Sequence, residues 1–209
     1  ADTIMTLSEL GAPEKCLEIL SDSNLAMLDK TIKIETASDR LQYQTSLGSD
    51  LTNIRATTVF FRQPNKDLYI LVYFEFLKGH AIWNDGFYVY SPDAFQLIDG
   101  GLVYQQNGKR YRTQIPRLTS GTMTQNDFFD ESSNYGITGG VSFPFNTDCQ
   151  QGYVLYFQSA EVSEFAWSGF NYVHFLSPVR LPYKTPEQML LDGVGNIAFH
   201  YAEIWPTLK

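Results

Sequence analysis

The sequence predicts a mostly β protein: an antiparallel β-sandwich of the jelly-roll or immunoglobulin type, with short N-terminal helices and one short C-terminal helix. Aromatic residues make up 15% of the 209 residues, led by 15 Phe and 13 Tyr, and aromatic side chains favour the half-buried surface of strands. Strand patterns recur at intervals of roughly ten residues with turn signals between them, which is typical of sandwiches and barrels. No long Pro-, Gly- or Ser-rich linker divides the chain, so we expect a single domain over 1–209.

The helical pattern is confined mostly to an N-terminal segment at about 7–30. Pro13 suits the first turn of a helix that runs through Leu20, because the missing N–H of proline costs nothing there. Ser23 or Asn24 could cap a second short helix. The sequence therefore predicts two short helices before the first strand.

Strand patterns dominate the rest of the chain. They cover 31–36, 55–62, 68–77, 102–106, 109–115, 153–158, 171–176 and 196–205. Between the last two strands, Thr185 is a predicted N-cap and Gly193 can end a short helix.

The clearest local signal is the dipeptide Asn107-Gly108, which lies between two strand patterns. A two-residue Asn-Gly loop favours a type I′ turn, because both of its positions need a positive φ. This turn fixes the register of the hairpin. The predicted opposite pairs are Gln106 with Lys109, Gln105 with Arg110, and Tyr104 with Tyr111.

The charge and the missing motifs exclude several functions. The formal net charge of −8 disfavours nucleic acid and anionic membranes as partners, and no apolar run is long enough for a membrane-spanning helix. The chain has no phosphate-binding glycine loop, no His-Glu-x-x-His, no nucleophile elbow and no dinucleotide fingerprint. We expect no cofactor and no metal site, and the motifs favour a protein that is not an enzyme.

The two cysteines bear on the cellular location. Cys16 and Cys149 form no Cys-x-x-Cys pair, which disfavours structural zinc. An even count suits one long-range disulfide in a secreted acidic protein, located in the periplasm or outside the cell. The alternative is two independent buried thiols in a cytosolic protein.

Two predicted strands place carboxylates beside aromatic rings. Residues two apart in a strand share a face, so Tyr73 lies beside Glu75, while the opposite face of that strand is uniformly apolar. The last strand repeats the pattern with Tyr201, Glu203 and Trp205. We expect these five residues to form one binding surface, because rings can take the apolar face of a sugar and Tyr and Trp are also enriched in protein interfaces. Alternatively, both faces pack under helices or loops.

The hairpin carries the only local basic cluster in the sequence. Arg110 and Arg112 are two apart on a strand and share a face, with Lys109 and Arg117 close by in the chain. They are the second binding candidate, because guanidinium groups can hold a carboxylate or sulfate of a ligand. Alternatively, these charges protect a sheet edge from pairing with another edge.

Three function classes follow from these features. The first is a non-enzymatic binding or interaction protein that recognises a protein or glycan through the aromatic–carboxylate face. The second is a secreted carbohydrate-active enzyme that uses the pair Glu75 and Glu203, whose carboxyl groups would need to be about 5–5.5 Å or 6.5–9.5 Å apart. The third is a structural subunit of a surface assembly, which the β-rich composition alone supports.

Overall fold

The computed structural model describes most of the chain. The described residues are 2–40, 42–44, 54–80, 84–91, 95–114, 119–122, 135–142, 147–159, 166–174 and 196–204. Within them, side chains are described at 3–36, 55–75, 89, 95–105, 107–112, 114 and 151–159.

The described residues are mostly β with a few short helices, as the composition predicts. The helices are α1 (Asp2–Glu9), α2 (Glu14–Ile19) and α3 (Asp22–Leu28). The strands are β1 (Lys33–Arg40), β2 (Gln42–Gln44), β3 (Ile54–Arg62), β4 (Leu68–His80), β5 (Asn84–Ser91), β6 (Gln96–Gln106), β7 (Lys109–Gln114), β8 (Thr119–Thr122), β9 (Tyr135–Ser142), β10 (Thr147–Gln158), β11 (Ala166–His174) and β12 (Asn196–Ile204). The predicted helix between Thr185 and Gly193 lies outside the described residues.

The described strands form two antiparallel six-stranded sheets. The first sheet has the order β1-β3-β4-β10-β6-β7, and the second has the order β2-β12-β11-β5-β9-β8. Only one residue separates β1 from β2, so the chain passes from one sheet to the other at that point. Strand β12 lies close to β1 and β3. The two sheets therefore approach each other along this side.

The helix boundaries differ from the predicted ones. Pro13 is the N-cap of α2, with φ −61° and ψ 128°, rather than a residue of its first turn. Ser21 caps α3 by accepting a hydrogen bond on Oγ from the Asn24 backbone N–H at 3.2 Å, which replaces the predicted caps Ser23 and Asn24. Helix α1 begins at Asp2, before the predicted start at about residue 7. Several hydroxyl and amide side chains in 21–24 can act as caps, and only the backbone geometry selects Ser21.

The predicted hairpin is confirmed. Asn107 has φ 51° and Gly108 has φ 74°, as a type I′ turn requires. The three predicted pairs, Gln106 with Lys109, Gln105 with Arg110 and Tyr104 with Tyr111, are the observed register of β6 and β7. The rings of Tyr104 and Tyr111 stack with centroids 5.3 Å apart and an angle of 17° between planes.

Both faces of the central strands in the first sheet are buried. One face packs against the N-terminal helices in a single apolar cluster. The helices contribute Leu7, Leu17, Ile19, Leu25 and Leu28, and the sheet contributes Val59, Phe61, Leu71, Val103 and Leu155. The opposite face of the sheet is equally buried at Phe60, Ile70, Val72, Phe74, Val154 and Tyr156. Strands buried on both faces read as continuous apolar runs, as 68–74 does.

Gly152 makes room for an aromatic ring of the neighbouring strand. It lies opposite Phe74 in the pairing of β10 with β4, and a Cβ at this position would overlap the Phe74 ring. The aromatic ring thus fills the space above the glycine backbone. A glycine inside a strand often marks such a close approach.

Candidate functional site

Tyr73 and Glu75, from the first predicted binding surface, are buried. Their exposed fractions are 3% and 8%, because their face of β4 is the face that the helices cover. Glu75 forms ion pairs with Lys15 of α2 at 3.2 Å and with Arg55 of β3 at 3.5 Å. Tyr73 and Glu75 therefore lie on a face that packs under helices, as in the alternative arrangement, and their role in binding stays a prediction.

The other half of that predicted surface belongs to the second sheet. Tyr201 and Glu203 are in β12. This strand belongs to the second sheet, whereas β4 belongs to the first. Their side chains, and the whole of Trp205, lie outside the described residues. The carboxylate of Glu75 is already paired with two cations, so it is a poor partner for Glu203 in glycoside hydrolysis.

A second polar group, the half-buried Asp99 carboxylate, joins the helices to the sheet. The Asp99 carboxylate accepts hydrogen bonds from Asn24 Nδ2 at 2.7 Å, Tyr153 Oη at 2.6 Å and the Gly100 N–H at 2.8 Å. Burial raises the pKa of the Tyr153 phenol, and its hydrogen bond to Asp99 raises it further. This arrangement holds α3 on the sheet and keeps Tyr153 protonated, which is a structural role.

The Cys16 thiol is buried and unreactive. Cys16 is a free, buried cysteine in the structure. Burial, followed by the nearby Glu75 carboxylate, raises the pKa of its thiol to about 12, so Cys16 is protonated and a weak nucleophile at neutral pH. The backbone of Cys149 pairs with Tyr104 and His80, and its side chain lies outside the described residues. The predicted disulfide between Cys16 and Cys149 stays a prediction.

The second binding candidate lies on an open edge of the first sheet. Strand β7 is the last strand in the sheet order, and among the described strands it pairs only with β6. Its residues Lys109, Arg110, Tyr111 and Arg112 are all exposed. Arg117 lies outside the described residues. The structure thus places the basic cluster at an accessible edge.

The two arginines of this edge have different surroundings. Arg112 Nη2 donates a hydrogen bond to the Glu18 carbonyl oxygen near the C-terminal end of α2 at 2.8 Å, where the helix backbone is electronegative. The side chain of Arg110 makes no hydrogen bond or ion pair with the described residues. Arg112 therefore anchors the hairpin to the helices, whereas Arg110 is exposed and makes no such contact with the described residues.

The opposite face of the same edge is aromatic. Tyr111 is 41% exposed and is supported from behind by the Tyr104 ring. Stacking already restricts the motion of the Tyr111 ring, so ordering this ring on binding costs less free energy. We call this surface, formed by Lys109–Gln114 and Tyr104, the β7 edge. One face carries guanidinium groups, and the other carries the Tyr111 ring, which stacks on Tyr104.

A separate open groove of about 640 Å³ lies where α3 ends. Its floor includes Tyr69 and Phe157, which are opposite each other in β4 and β10 with ring centroids 5.2 Å apart. The rim includes Met27, Lys30, Pro64 and Asp67. The sequence analysis does not predict this groove. Tyr69 lies on the predicted aromatic–carboxylate face, but its pairing with Phe157 joins strands that are far apart in the chain.

The β7 edge and the groove are the two candidate sites among the described side chains. Neither combines a nucleophile with a base. Among the described residues, no group of three or more His, Cys, Asp or Glu side chains could hold a metal ion, and no helix is long and apolar enough to cross a membrane. Comparison with protein-family models and with curated protein sequences gives no match to this chain.

Proposed function

We propose that this chain is a non-enzymatic interaction protein that binds a partner protein along the β7 edge. The observation that carries the proposal is the open edge strand on which every described side chain is exposed, with Arg110 unpaired and Tyr111 held by stacking. Tyr and Arg are the residue types most enriched in binding hot spots. An open strand edge is also a template for pairing with another chain.

The charges on this edge oppose pairing with a second copy of the chain. Any antiparallel pairing of two β7 strands centred on 110–112 places arginine opposite arginine, and like charges directly opposite each other are destabilising. The same charges favour an acidic partner. The same basic cluster can therefore oppose pairing with a second copy of the chain and favour an acidic partner.

A sandwich architecture and an exported location are part of the proposal. The face of the first sheet remote from the helices is buried at Phe60 and Val72, and Val89 of β5 is only 1% exposed, which supports packing of the second sheet against that face. The even number of cysteines supports a location in the periplasm or outside the cell. Thiol quantification on denatured, unreduced protein from its native source tests this location, because a Cys16–Cys149 disulfide leaves no titratable thiol and two thiols would contradict it.

The function is tested by affinity capture from the native source. The wild-type protein is compared with Arg110→Glu and with the charge-matched control Lys66→Glu, which changes an exposed residue of the β3–β4 turn. We expect the control to retain the captured proteins and Arg110→Glu to lose at least one of them. Equal capture by all three proteins would place the interaction elsewhere.

The groove supports glycan binding as a second candidate function. Two partly exposed rings lie in the groove together with the Asn65 amide and the Asp67 carboxylate, which hydrogen-bond to each other. These groups match the chemistry of a sugar, which offers an apolar face and hydroxyl groups. An array of neutral oligosaccharides probed with the wild-type protein and with Tyr69→Leu tests this candidate. If the groove binds a glycan, the wild-type protein and Arg110→Glu give a signal on the array, and Tyr69→Leu does not. An array without any signal for the wild-type protein would reject it.

A further inference from the structure

We infer that the β7 edge binds an extended segment in which two acidic residues flank one apolar residue, an inference that rests on the proposed function. The partner segment would add a strand to the first sheet beside β7. The geometry of the hairpin specifies the positions of the two carboxylates and of the apolar residue between them.

The first step concerns the main chain of β7. In a hairpin closed by a two-residue turn, the residues that flank the turn bond to each other, and bonded pairs alternate with non-bonded pairs along the ladder. Gln106 and Lys109 flank the turn, so Tyr111 also bonds inward to β6. The N–H and C=O groups of Arg110 and Arg112 therefore point away from β6, towards the open edge.

The second step concerns charge. An added strand that pairs with the main chain of Arg110 and Arg112 places two of its own residues directly opposite them, on the same face. Those two residues are separated by one position, because side chains alternate between faces with a period of two. Carboxylates at both positions can accept charge-assisted hydrogen bonds from the guanidinium groups. Among the described residues, none accepts a hydrogen bond from the Arg110 guanidinium group, so its donors can serve this contact.

The third step concerns the residue between the two acids. It projects to the other face of the sheet, where it lies opposite Tyr111. Aromatic and β-branched residues are the favourable cross-strand neighbours of an aromatic ring, and the Tyr104 ring beneath holds Tyr111 in place. The segment therefore has the pattern acidic, aromatic or β-branched, acidic.

The overall net charge of −8 does not prevent this association. Screening limits the reach of exposed charges to about 8 Å at physiological ionic strength, so the nearby guanidinium groups determine what the edge attracts. The contact between charges at this edge must weaken as salt is added.

The test uses a capped, fluorescently labelled peptide with the core Thr-Glu-Val-Glu-Thr and measures binding to the full chain by anisotropy. In one control peptide, both Glu residues are replaced by Lys. In the other, both Glu backbone nitrogens carry a methyl group, which removes the main-chain donors that face Arg110 and Arg112. We expect the acidic peptide to bind with an affinity that falls as salt rises, and both controls to bind at least about tenfold more weakly. Arg110→Glu and the milder Arg110→Gln should lower the affinity, and Lys66→Glu should not.

Three binding results would each overturn the inference, and so would the absence of peptide binding. One is equal binding of acidic and basic peptides, and another is equal binding of the N-methylated peptide, which would rule out strand addition. The third is a dimer of the free protein whose dissociation constant changes in Arg110→Glu, which would assign the edge to a second copy. If no peptide binds while capture from the native source still depends on Arg110, the inference fails and the proposed function stands. If capture does not depend on Arg110, both fail.

Discussion

At the scale of single residues, two tyrosines opposite each other in the first sheet have contrasting surroundings. The Tyr153 hydroxyl donates a hydrogen bond to Asp99 at 2.6 Å, whereas the buried Tyr73 hydroxyl has no hydrogen-bond partner among the described residues. We expect Tyr153→Phe to lower the free energy of unfolding by about 1.5–3 kcal/mol, the range for a hydrogen bond to a charged group. Tyr73→Phe should leave it unchanged or raise it, because it removes an unsatisfied polar atom. Urea denaturation measures the free energy of unfolding of both variants. An equal decrease in Tyr153→Phe and Tyr73→Phe would contradict the hydrogen bonding described for these two hydroxyls.

The turn at Gly108 provides a second prediction at this scale. A Cβ at Gly108 meets no atom within 4 Å, so any cost of substitution comes from the backbone, which has φ 74°. Gly108→Val should lower stability by about 1–3 kcal/mol, because a β-branched residue resists positive φ. Gly108→Asn is the matched control and should lose much less, since asparagine tolerates this region. Equal melting temperatures for wild type and Gly108→Val would count against the turn type.

At the scale of elements, α1 offers a direct test of how the helices dock. Leu7 has no exposed surface and belongs to the apolar cluster, whereas Met5 on the same helix is 62% exposed. Leu7→Ala should lower the free energy of unfolding by about 2–5 kcal/mol, the usual cost of removing a buried leucine side chain. Met5→Ala should change it by no more than about 0.5 kcal/mol. Chemical denaturation measures both, and a similar loss in the two variants would mean that α1 does not pack through Leu7.

At the scale of the whole molecule, stability must fall at alkaline pH. In the reduced protein, in which Cys16 is a thiol, its pKa rises from 9.0 to about 12 on folding, and burial also raises the pKa of Tyr73 and Tyr153 above 10.0. All three groups are neutral when folded and lose protons more readily when unfolded, so their contribution is complete below pH 9 and declines above it. Each group lowers stability by about 1.4 kcal/mol per pH unit within its window.

Unfolding free energies measured between pH 7 and the alkaline range test this dependence. Tyr73→Phe is the matched variant, because it removes one of the three groups without breaking a hydrogen bond. We expect its stability to decline less steeply above pH 10 than that of the wild type. A wild-type stability that stays constant through this range would show that these groups remain accessible to solvent.

Local chemistry predicted the features that depend on neighbours in the chain. Asn107-Gly108 predicted the turn and the register of β6 with β7, because only a few residues accept positive φ at both positions. The strand β4 was predicted at 68–77 and extends to His80. The N-terminal helices were predicted approximately, although their caps were misplaced because neighbouring residues compete for the same role. The alternation of side chains also predicted which residues share a face.

The sequence by itself therefore determined the β-rich class, the hairpin and the composition of each strand face, because these follow from local backbone preferences. Only the tertiary structure decided which face of β4 lies under the helices, since both faces are rich in apolar and aromatic residues and either can be buried. It also decided that β12 belongs to the other sheet and that Tyr69 meets Phe157. The pairing of strands distant in the chain depends on packing of the whole domain. For that reason Tyr73 and Glu75 help to hold the helices on the sheet, while the side chains of Lys109, Arg110, Tyr111 and Arg112 in β7 are exposed.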